Sequence, residues 1–71
     1  MNSAMNTMKV IEILCNSNES WEDAARNGVQ QASRTLKNIR SIYIKEQSAA
    51  VVNGKITEYR LTAKVTFEIE E

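Results

Sequence analysis

The sequence predicts an α+β domain of β-α-β-β order, with a three-stranded antiparallel sheet packed on one helix. Three observations carry this. Tyr59, Leu61, Ala63, Val65, Phe67 and Ile69 alternate with Glu58, Arg60, Thr62, Lys64, Thr66 and Glu68, the two-residue period of a strand with one apolar and one polar face. Trp21, Ala25, Gly28, Ala32, Leu36 and Ile39 recur at helical spacing. Asn53-Gly54 separates two strand-like runs, and a type I′ hairpin turn needs positive φ at both central residues, which these two tolerate.

Taken in order, residues 1–7 are polar and read as a flexible leader to a domain over 8–71. Met8 to Cys15 is strand-like. Ile11, Ile13 and Cys15 point one way, and Met8, Val10, Glu12 and Leu14 the other, so both faces need cover. Asn16 to Glu19 breaks the pattern. Ser20-Trp21-Glu22-Asp23 matches a capping box, and its acids suit the positive end of a helix dipole. Lys37 is expected in the last turn and Asn38 at the helix end. Residues 40–52 form the second strand, with Ile42 and Ile44 on one face and Ser41, Tyr43, Lys45 and Gln47 on the other. The simplest two-residue hairpin register sets Gln47 opposite Arg60. A right-handed crossover makes strands one and two parallel. Placing strand three between them then makes every pairing antiparallel, with the helix over Leu61, Ala63, Val65 and Phe67.

A chain of 71 residues buries only about 60% of the surface its unfolded form exposes. Small scaffolds add disulfides, a metal or partner subunits. Cys15 is the only cysteine and there is no histidine, so a disulfide within the chain and a thiolate zinc site are excluded. A closed homo-oligomer is the expectation that remains. Nine basic residues balance nine acidic ones, which gives no footprint for nucleic acid. No apolar run approaches the roughly 20 residues of a membrane span, and the start lacks the blocks of a signal peptide. The chain therefore reads as cytoplasmic.

Without histidine no Ser-His or Cys-His nucleophile pair exists, and Gly28 and Gly54 make no phosphate loop. The chain is not expected to be an enzyme. Cys15 and Trp21 sit on apolar stripes and read as core. Glu12, Glu58, Glu68 and Glu70 read as solvated charge, although an oligomer axis can gather copies of one carboxylate around a hard cation. The polar sheet face, with Ser41, Tyr43, Lys45, Gln47, Arg60, Thr62 and Lys64, is either a wet exterior or the lining of a shared cavity.

Lys9-Val10-Ile11-Glu12, Ser20-Trp21-Glu22-Asp23-Ala24 and Arg34-Thr35-Leu36-Lys37-Asn38-Ile39-Arg40 resemble the dodecin family, as do Glu46-Gln47, Tyr59-Arg60 and Lys64-Val65-Thr66-Phe67. The resemblance spans residues 8–70 and rests on order and spacing rather than on one motif. It implies a hollow homododecamer whose sheets face inward and which stores flavins (FMN, FAD or riboflavin) without turning them over. Ser41, Tyr43, Gln47 and Arg60 then occupy the flavin-site face.

Two positions depart from the flavin-binding members. Ser41 follows Asn38-Ile39-Arg40 where those members carry the tryptophan that stacks on the flavin ring, and Arg60 follows Tyr59 where they carry a glutamine for its polar edge. Arginine offers only donors, whereas a flavin edge has an N–H between two carbonyls. At these positions the sequence is similar to a calcium-associated subgroup of dodecins, although no calcium ligand carries over. A flavin-storing shell and a shell that binds cations such as calcium, or is purely structural, are thus both expected readings.

Overall fold

A computed structural model describes residues 7–69. The elements are β1 (Met8–Ser17), α1 (Trp21–Ala32), β2 (Ile39–Val52) and β3 (Lys55–Glu68). Strand order is β1-β3-β2 with both pairings antiparallel, so the best-patterned strand is central as its alternation predicts. The helix covers one face. The remainder of the leader, before Thr7, and the acidic end at Glu70 and Glu71 lie outside the described residues.

Cys15, Ala24, Leu61 and Ala63 form the buried cluster, with Ile13, Trp21, Ala25 and Ile42 packed against it. Ala24, with no exposed surface, is the helix residue set deepest in the sheet, one position away from the stripe predicted through Ala25. Close approach is possible because the contact is made by small side chains. Trp21 flanks it, its ring edge-on to Tyr59 at 4.9 Å and its Nε1–H donating to the Ser48 carbonyl at 2.9 Å. Its role is structural, as the stripe predicts.

Ser20 caps the helix by accepting from the Asp23 amide at 2.9 Å. The reciprocal half of the capping box is not made. Instead the Ser17 hydroxyl donates to the Asp23 carboxylate at 2.6 Å and accepts from the Glu19 amide at 2.8 Å. Ser17 is buried, and its removal takes the acceptor from the Glu19 amide and one of two donors from the Asp23 carboxylate, which keeps Asn27 Nδ2 at 3.2 Å. Ser17→Ala is expected to cost about 1–3 kcal/mol in urea unfolding, more than the roughly 1 kcal/mol of losing the exposed cap in Ser20→Ala. Equal losses would show that the buried hydroxyl is not the anchor.

The helix is shorter than its periodicity predicts. It ends at Ala32, with Ser33 as cap, and no basic residue lies in its last turn, so Lys37 is outside it. The Ser33 hydroxyl donates to the Val29 carbonyl at 2.7 Å, and the Arg34 and Thr35 amides turn back to the Gln31 and Ala32 carbonyls. Ser and Thr side chains compete for the backbone carbonyls that a helix would use, and here the competition ends it. Asn38, with φ of 61°, makes the reversal into β2.

Asn53 and Gly54 have φ of 53° and 77°, the predicted hairpin turn. Beyond it the register departs from the simplest form at three irregularities. Thr57 is skipped between the Val51↔Ile56 and Ala50↔Glu58 pairs, Lys45 bulges between Ile44 and Glu46, and Arg40 bulges between Ile39 and Ser41. One extra residue on either strand moves every later side chain relative to its partner. Gln47 therefore pairs with Leu61, not Arg60, and Ser48 takes the place opposite Arg60.

The molecule is long, 56 × 20 × 14 Å, with a radius of gyration of 14.8 Å where a compact domain of this length has about 11 Å. The hairpin end extends past the helix and leaves Val51, Val52 and Ile56 exposed. Among the described residues no helix is long and apolar enough to cross a membrane.

Candidate functional site

Partners across an antiparallel ladder share a face. Opposite the helix, β3 presents Glu58, Arg60, Thr62, Lys64 and Thr66, and β2 presents Ser41, Tyr43, Glu46 and Ser48. From β1 come Met8, Val10, Glu12, Leu14 and Asn16. Of the predicted site residues this face holds Ser41, Tyr43 and Arg60. Ser41 stands opposite Thr66 and Tyr43 opposite Lys64, with Tyr43 65% exposed. Gln47 is not among them, since the Thr57 irregularity turns it to the helix side beside Leu61. The Lys45 bulge returns Glu46 to the polar face, a residue that strict alternation assigns to the other side.

The face is also less polar than the last strand implies. Leu14 is 79% exposed, and Met8 and Val10 are exposed along the same β1 edge. The cover that the sequence requires for both faces of β1 is supplied on one side only by this chain.

Three ion pairs form among the described residues. Arg60 donates through Nε (2.9 Å) and Nη2 (2.8 Å) to one oxygen of Glu58, and Asn16 Nδ2 donates to the other at 3.1 Å. Two donor residues from two strands thus fill both carboxylate oxygens. Arg40 binds Glu68 through Nε and Nη2 at 3.0 and 2.6 Å. Lys45 Nζ lies 3.6 Å from Glu12, reaching over the central strand. Glu12, Glu58 and Glu68, the carboxylates that symmetry copies would gather around a cation, each face a cation of their own chain. Among the described residues no cluster of three or more His, Cys, Asp or Glu suits a metal. Asn16 was missed in the sequence because it reads as the start of a loop; β1 runs on to Ser17, and the pairing of Asn16 with Arg60 is what brings it in.

On the other side, Cys15 of β1 is buried against Gly28 of the helix, and burial pushes its thiol pKa up. A thiol so placed carries little thiolate near neutrality and is a poor nucleophile. An apolar groove of about 370 Å³ runs between Ala25, Val29 and Ile42, rimmed by Arg26 and Gln30.

The family model described as Dodecin matches residues 7–70. The chain belongs to the dodecin family. It is 42% identical over 66 residues to calcium dodecin of Mycobacterium tuberculosis, covering 92% of each chain. Among solved structures, dodecin from Streptomyces davaonensis superposes with a TM-score of 0.91 at 32% identity, over 96% of this chain and all of that one. The crystal structure of M. tuberculosis calcium dodecin, described as having a novel calcium-binding site, gives a TM-score of 0.78 at 40% identity over 90% of this chain and 91% of that one. The β-α-β-β order and the sheet with β3 at its centre are thus those of the dodecin fold.

Proposed function

We propose that the protein is a non-enzymatic binding shell, a homododecamer with the polar face turned inward, and that it binds cations such as calcium rather than storing flavin. The observation that carries this reading is the state of the two altered positions. Ser41 presents a small exposed hydroxyl where a flavin needs an aromatic plane, and Arg60 spends Nε and Nη2 on Glu58. The likeness to M. tuberculosis calcium dodecin supports the cation. Assembly is supported by the elongated form and by Leu14, Met8, Val10, Val51, Val52 and Ile56, apolar side chains that one chain leaves in water. The flavin-storing shell is the second reading, favoured by Tyr43, an exposed ring on the same face two residues from Ser41.

Light scattering is expected to give about twelve times the 8.0 kDa chain mass. Purified protein is expected to be colourless and to leave riboflavin fluorescence unchanged at micromolar concentrations. Calcium at tenfold its Kd should stabilise each bound site by about 1.4 kcal/mol, a gain that a chelator removes along with several degrees of melting temperature. A yellow protein that quenches riboflavin, with a melting temperature indifferent to chelator, would reverse the order of the two readings. A monomer would remove both.

A further inference from the structure

The Glu58, Arg60 and Asn16 constellation bears on which ligands the polar face accepts. Glu58 and Arg60 are two residues apart on one strand and share a face, and Asn16 is the β1 partner of Arg60. Without the carboxylate, an arginine and an amide donor would converge on one spot, the donor set that binds a phosphate or carboxylate oxygen. Glu58 occupies that spot. Its Oε1 takes Nε and Nη2 of Arg60 and its Oε2 takes Asn16 Nδ2. The side chain of Glu58 is 34% exposed and that of Arg60 53%, so the pair lies at the surface of the face, where a ligand would meet it.

We propose that Glu58 determines charge selectivity: it fills and neutralises an anion site made by Arg60 and Asn16, so that phosphorylated and other anionic small molecules are refused. The proposal rests on the reading that the polar face is the ligand-binding face. Arg60 alone, at the position departing from the flavin-binding pattern, would favour an anion such as a flavin phosphate. Paired with Glu58 it offers no net charge.

Glu58→Gln separates charge from shape. The amide keeps an acceptor for Arg60, and Asn16 can turn its own amide to suit the new partner. Inorganic phosphate serves as the probe, titrated by thermal shift against chloride at equal ionic strength. Glu58→Gln should bind phosphate at least about tenfold more tightly than the unaltered protein, and Glu58→Gln with Arg60→Gln should lose the gain. Glu58→Thr, a residue suited to a strand, repeats the test should glutamine disturb folding. Equal phosphate response with and without Glu58, or a gain that survives the loss of Arg60, overturns the proposal. Light scattering on the same samples keeps the two ideas apart. A dodecamer whose Glu58 variants ignore phosphate sinks the selectivity claim alone, and a monomer whose variants respond sinks the shell alone.

Discussion

Gly28→Ala is expected to destabilise the protein by about 1–3 kcal/mol, although alanine is the better helix former by about 1 kcal/mol. A Cβ on Gly28 would sit 2.3 Å from Cys15 Sγ and 3.2 Å from its Cβ, with Ile13 Cδ1 at 3.5 Å. The first distance is far inside van der Waals contact, and the packing around both side chains leaves little room for either to swing away. Cys15 belongs to the buried cluster and Ile13 packs against it, so the helix itself must lift from β1. Lifting it loosens Ala24 and Trp21, and with them the whole helix–sheet layer. Packing therefore wins over propensity. Cys15→Ala with Gly28→Ala removes the sulfur and leaves the 3.2 Å contact and the ordinary 3.5 Å contact with Ile13, so urea unfolding should show the double variant recovering much of the loss. If Gly28→Ala were neutral or stabilising, the close approach of helix to sheet would not be the constraint on this position.

Ser41→Trp with Arg60→Gln is expected to turn a face indifferent to riboflavin into one that binds it. Stacking of a base on an aromatic side chain is worth about 1–3 kcal/mol. A flavin held between two symmetry-related tryptophans would gain that on each side, about 30-fold at the low end and over a thousandfold at the high end. Glutamine restores a donor and an acceptor beside Tyr59 for the polar edge of the ring. Riboflavin fluorescence quenching reads the outcome, with each single variant as a control. Ser41→Trp alone should bind more weakly than the pair, since Arg60 leaves the ring N–H unmatched. Should the pair remain unable to quench while still forming the oligomer, Ser41 and Arg60 do not line the site that the family likeness implies.

The two experiments probe opposite faces of one sheet, and the sequence speaks unequally about them. On the helix side each position is set by a single demand, exclusion of water. Leu61, Ala63 and Val65 are buried where alternation places them, and Ser20 caps where the pattern predicts. On the polar side a residue's meaning depends on its partner. Arg60 reads as a free cation in the sequence and is a bound one in the structure, because Glu58, its neighbour on the same face of β3, takes its guanidinium, and Asn16 reaches Glu58 once β1 lies alongside β3. Gln47 reads as a site residue and is not on that face, because the Thr57 irregularity shifts the register. The helix end follows the same logic, since hydroxyl competition at Ser33 is invisible to a pattern of apolar spacing.

The sequence by itself determined the element order, the turn at Asn53-Gly54 and the central place of the last strand. These follow from periodicity and backbone preference, which act between near neighbours and are written in local order. Only the tertiary structure decided the bulges, the face of Gln47 and the contact of Asn16 with Glu58. Those depend on which strands meet and at what offset, and a one-residue change in offset reverses a side chain without altering a letter of the pattern.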